Sequence, residues 1–125
     1  MPTTVHVITR HTVQMLTEKV RENARSSIIV RLYDDDNNNV GVTIFKKYDD
    51  KEPPKPVGDF ESKRFTAYID IAGYTPYMDI LRLERPVYLK IAWRQLGAIK
   101  HVSHVSIDTK KEILGEFFDN PPSED

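Results

Sequence analysis

The chain contains no cysteine. That excludes a disulfide framework, a zinc–thiolate centre and a cysteine nucleophile. Glycine is scarce, with five in 125 residues, and neither a phosphate-cradling Gly-rich loop nor Gly-x-Ser-x-Gly nor His-Glu-x-x-His occurs. The common signatures of nucleotide binding, serine hydrolysis and zinc proteolysis are therefore missing. Long apolar runs are missing as well. Stretches such as Ile28-Ile29-Val30 fall far below the about 20 residues that cross a bilayer as a helix. Met1-Pro2-Thr3-Thr4-Val5-His6 has no basic segment followed by an apolar one, so no secretory leader is expected. The expectation is a soluble, cytoplasmic protein without membrane contact. Charge of one sign is lacking too: 18 Lys/Arg against 19 Asp/Glu leave a net charge of −1. No whole-molecule field steers the chain to nucleic acid or membrane.

What is present suits one small domain. A chain of this length buries about two thirds of its unfolded surface on folding, enough for a core without staples. Charge is unevenly placed along it. Arg82, Arg85, Lys90, Arg94, Lys100, Lys110 and Lys111 face only Glu84 and Asp108 in the same stretch, whereas acid gathers in Asp34-Asp35-Asp36, in Asp49-Asp50 and from Asp119 to Asp125. The reading is a single α+β domain over 1–118 with a disordered acidic tail at 119–125.

Hydrophobic periodicity sets the elements. Residues Thr3 to Thr9 alternate and predict a short strand. From Thr12 the apolar residues Val13, Leu16, Val20 and Ala24 fall at spacings of three and four, which predicts an N-terminal helix ending at Ser26-Ser27. Ile28–Tyr33 and Val40–Lys47 predict a hairpin around the polar loop Asp34–Asn39. Pro53, Pro54, Pro56 and Gly58 make 48–62 a mobile, charged, Pro-rich loop that holds neither a central strand nor a helix interior. Phe65, Ala67, Ile69 and Ile71 give a strand, and Thr75-Pro76 reads as the cap and first residue of a short second helix. Val87, Leu89, Ile91 and Trp93 form the strongest buried-face pattern, followed by a turn at Gly97 and a strand from Ala98 to Ile107. Residues 109–118 suit a last strand, with helix as the rival. The expected architecture is an antiparallel sheet of about five to seven strands packed on the N-terminal helix, with the second helix after Thr75.

Few constellations carry chemistry. His101 and His104 are the first candidates for a metal or acid–base site, because imidazole binds zinc and its neighbours. Residues three apart on a strand face opposite sides, so neither a metal nor a catalytic role is expected of the pair. Asp34-Asp35-Asp36-Asn37-Asn38-Asn39 fails the helix–loop–helix calcium pattern, which needs Gly sixth and Glu twelfth where this chain has Asn39 and Phe45. Pro53-Pro54-Lys55-Pro56 has the Pro-x-x-Pro spacing without a flanking basic residue at the usual offset, and reads as a stiff spacer. No cofactor is expected. The remaining feature is a basic-aromatic strand face made of Arg64, Tyr68, Tyr88, Lys90 and Arg94. Tyr and Arg are enriched at protein interfaces, so the function read from the residues is non-enzymatic binding or regulation through protein–protein contacts, with a protein partner or a second copy of the chain. Binding of single-stranded nucleic acid or another polyanion to that face is the alternative, and a small enzyme or metal protein using His101 and His104 is the third.

Overall fold

A computed structural model describes residues 2–20, 23–48 and 51–109, with side chains at all of these except 18–20 and 23–25. Thr3–Ile8 forms the expected first strand, β1. The chain then passes through Thr9 into a second strand, Arg10–Val20 (β2), where the spacing of apolar residues suggests a helix. Among the described residues no N-terminal helix forms. His11, Val13, Met15 and Thr17 also alternate with period two, and β-branched Thr12, Val13, Thr17 and Val20 favour the pleated backbone. Antiparallel pairing with Asn23–Tyr33 (β3), from Arg10↔Tyr33 to Val20↔Asn23, completes the ladder. Helix propensity is a weak preference that such pairing overrides.

Around the turn after Tyr33, β3 pairs with Asn39–Lys46 (β4), as the hairpin pattern predicts. The Pro-rich connection that follows carries a three-residue strand, Val57–Asp59 (β5), which pairs along the outside of Arg64–Asp70 (β6). β6 itself lies parallel to β4. These strands make a five-stranded mixed sheet in the order β2-β3-β4-β6-β5. The second sheet is antiparallel throughout. Val87–Leu96 (β7) lies between β1 and Ile99–Asp108 (β8), which turn back at Gly97 in the left-handed region (φ 66°). The single antiparallel sheet of the sequence reading is thus two sheets, one of them mixed, in a chain that remains α+β with strands dominating. The strand-or-helix alternative over 110–118 and the acidic tail at 119–125 lie outside the described residues.

One helix, Tyr74–Leu83 (α1), carries the chain from β6 in one sheet to β7 in the other. Its start differs from the expectation. The Asp70 carboxylate accepts the Ala72 N–H at 3.0 Å and seeds a 3-10 turn at Ile71–Gly73, and α1 follows with Gly73 as its N-cap. Thr75 is not the cap, and Pro76 falls in the first turn, where its missing N–H has no intrahelical acceptor to lose. At the other end the Arg85 guanidinium donates to the Leu81 carbonyl at 2.8 Å, satisfying one of the helix's orphan acceptors. Among the described residues no helix is long and apolar enough to cross a membrane.

Both sheets turn their apolar rows to one core. Val30, Leu32, Phe45 and Phe65 come from the five-stranded sheet, Val87, Leu89 and Ile91 from β7, and Tyr77, Met78 and Leu81 from α1 between them. Phe45 meets the rings of Tyr74 and Tyr77 edge-on, at centroid distances of 5.3 and 5.1 Å. Trp93, expected in the core, is only half-buried. It lies beside a β-bulge between Ala92 and Trp93, where its Nε1–H donates to Thr4 Oγ1 at 3.2 Å and its ring meets Phe60. The sheets approach closely at Gly41. A Cβ there would lie 2.9 Å from Leu89 Cδ2 and 3.3 Å from Leu32 Cδ1, so Leu89 occupies the space a side chain would need.

Leu89→Ala is expected to cost about 2–5 kcal/mol of folding free energy as a buried truncation. Gly41→Ala is expected to cost about 1–3 kcal/mol by overpacking, and less in the Leu89→Ala background. Urea unfolding of the four proteins of that cycle checks it; additive costs would place the sheet contact elsewhere.

Candidate functional site

The five residues of the basic-aromatic face do not come together. Arg64 and Tyr68 stand on β6, on the face of the five-stranded sheet opposite buried Phe65 and Ala67. Tyr88, Lys90 and Arg94 stand on β7 in the other sheet. Because both sheets point their apolar rows at the same core, these outer faces look away from each other. Lys90 is not a free surface cation either. It is 2% exposed, and its ammonium donates to Asp108 Oδ2 at 3.1 Å across the β7–β8 ladder. Arg94 is exposed near the end of β7.

His101 and His104 do share a face. Parity alone would separate them, but the bulge pairs Ala92 with His104 and Trp93 with Val102, which leaves Ser103 as the extra residue of β8. His101 then lies opposite Arg94 and His104 opposite Ala92, both on the outer side. Two imidazoles are half of a structural zinc site's ligands. Among the described residues no third His or carboxylate joins them in a metal-sized group. Asp34, Asp35 and Asp36 do cluster, with ligand atoms within 4.8 Å of one another. Asp34 there serves the turn: its Oδ1 accepts the N–H groups of Asp36 and Asn38 at 3.0 and 2.9 Å. That is the local hydrogen bonding for which Asp is favoured in loops. Pro53 and Pro56 are half-buried.

Two other histidines sit where protonation is disfavoured. His6 lies on the inner side of β1 near the Phe65 ring, with its Nε2 buried and unbonded among the described residues. Burial holds its pKa below the usual value, with Lys63 adding to this and Asp34 opposing it. His11 on β2 is lowered by burial and by the nearby Arg82 and Arg85.

The feature that sequence reading missed is β2. Among the described strands it pairs only with β3, so its outer row of N–H and C=O groups is a free sheet edge. β2 also exposes Val13 (44%), Met15 (66%) and Leu16 (39%). Beyond Ile28↔Phe45 the third strand ends, and Leu16↔Ser27 through Val20↔Asn23 continue as a two-stranded ribbon. Sequence carries one signal of this, the period-two run His11-Val13-Met15-Thr17 that coexists with the helical spacing. Comparison with family models, with curated proteins and with solved structures finds no match.

The lowered histidines set the sign of an acid dependence. Near pH 6 the unfolded chain binds more protons at His6 and His11 than the folded one, so stability rises with pH there. The contribution is present above the unfolded pKa of about 6.5 and is lost as pH falls below it. The urea midpoint is expected to drop between pH 7.5 and 5.5, and to drop less in a His6→Gln, His11→Gln double variant. A midpoint that rises on acidification would contradict this.

Proposed function

We propose that this chain is a non-enzymatic binding domain that works through protein–protein contacts at the free edge of β2, and that the edge is occupied by a second copy of the chain. The observation that carries the reading is a long edge strand with exposed apolar side chains. Proteins ordinarily protect such edges with charge, proline or a cover, because an open one adds strands from another chain. The ribbon supports the same reading, since a two-stranded hairpin alone is only marginally stable in water.

Self-pairing is supported by the pattern of β2. An antiparallel two-fold centred on Gln14 keeps each face of the sheet on its own side, because paired residues then have the same parity. It sets Val13 against the partner's Met15, Thr12 against the partner's Leu16 and Arg10 against the partner's Glu18. Val13 and Met15 already pair with Val30 and Ile28 within the chain. The two copies together therefore extend the apolar inner row across the junction and bring opposite charges to both ends. A two-fold interface requires such self-complementarity.

Burying a Met side chain contributes about 1.5–3 kcal/mol, and the symmetric contact contains it twice. Met15→Lys is therefore expected to weaken association at least about tenfold without unfolding the chain, since Met15 is already exposed. Leu83→Lys, at a residue 74% exposed on α1, is expected to leave association unchanged. Sedimentation equilibrium over a concentration series measures both. A wild-type chain that stays monomeric throughout, or equal effects of the two substitutions, would sink the reading.

A further inference from the structure

A slot opens into the core where the two sheets are not hydrogen-bonded to each other, between β6 of one and β8 of the other. Its volume is about 200 Å³. Buried Thr43, Ala67, Tyr77 and Leu89 form its floor, and half-buried Ile69 and Ile107 stand at its rim. Among the described residues no charged side chain lines it. Val105 and Ser106 complete the lining, and its buried polar feature is a hydrogen bond of 2.8 Å between Thr43 Oγ1 and the Tyr77 hydroxyl.

That pair has a proton to spare. Two hydroxyls bring two O–H donors, and the bond between them uses one. Among the described residues neither oxygen has another hydrogen-bond partner, so one O–H is left with no protein acceptor in the slot. A single donor holds a water poorly, because a buried water needs about two to four polar partners. An apolar cavity of about 150 Å³ admits benzene, so this slot has room for one ring with a small substituent. Burial pushes the Tyr77 pKa up to about 12, which keeps the phenol protonated and able to donate.

We infer that the slot is a binding site for a small, uncharged, single-ring molecule carrying one hydrogen-bond acceptor, such as an aryl ketone, with the ring against Ala67 and Leu89 and the carbonyl accepting from the Thr43–Tyr77 pair. The site is separate from the β2 edge and does not depend on association. Carboxylates and amines are disfavoured, because no opposite charge in the lining would offset their desolvation.

The test uses the full chain, methyl NMR and two probes of nearly equal shape, acetophenone and ethylbenzene. Acetophenone is expected to shift the methyl signals of Ile69, Leu89 and Ile107 saturably. It should bind about three- to ten-fold tighter than ethylbenzene, the span of one net hydrogen bond. Removing both donors in a Thr43→Val, Tyr77→Phe double variant is expected to erase that preference while leaving ethylbenzene binding in place. Filling the floor with Ala67→Leu, or plugging the rim with Ile107→Trp, is expected to abolish binding of both probes, read on whichever variant keeps a dispersed methyl spectrum. Absence of saturable shifts, equal affinity of the two probes for the wild type, or binding that survives the filled slot would each overturn the inference.

Discussion

The close approach of Gly41 and Leu89 sets the distance between the two sheets, and most of the architecture follows from it. A Cβ at position 41 would lie 2.9 Å from Leu89 Cδ2, so the central strand β4 of one sheet and the central strand β7 of the other come together where one of them is bare. With the sheets this near, the rows Val30–Leu32 and Leu89–Ile91 share one core. α1 has to lie across an open end, with Tyr77, Met78 and Leu81 inward. Packing at interior density leaves few voids, and a space of about 200 Å³ remains along the unpaired line between β6 and β8. The slot is a consequence of building the core from two sheets that never close into one.

The same division leaves edges. β7 is paired on both sides and β5 shields β6, but β2 turns away from β1 at Thr9 and follows β3 out of the core. Its inward-facing residues continue the pattern of the buried row, yet beyond Val13 no second layer lies beneath them among the described elements. An apolar row without a cover either binds something or promotes aggregation. This chain lacks the usual protective devices along the middle of β2: residues 11–17 contain no proline, lysine or acid. Pairing with a second copy would convert the liability into an extended sheet.

Much of the fold can be read from the residues, and the failures have identifiable causes. Alternation over Thr3–Ile8, Arg64–Asp70 and Val87–Leu96 marks strands because one side of each is buried and the other is not. Gly97, the polar run after Tyr33 and Pro86 mark boundaries through backbone constraints that act locally. The segment from Thr12 to Ala24 satisfies both periods at once, and only pairing with β3, a long-range event, decides between them. The basic-aromatic residues divide between two sheets for a related reason. Parity within β6 and within β7 is legible, so Arg64 and Tyr68 share one side of β6, and Tyr88 and Lys90 one side of β7. Whether two strands share a sheet is not a local property. The bulge at Ala92–Trp93 is equally silent in the sequence, and it brings His101 and His104 to a common side.

Amide hydrogen exchange as a function of protein concentration tests most directly whether the β2 edge is an association surface. Raising the concentration is expected to slow exchange at alternate amides between Thr12 and Thr17, where new inter-chain hydrogen bonds would form, while amides of β4 and β7 keep their rates. Exchange along β2 that is independent of concentration, or slowing confined to another edge such as β8, would contradict it.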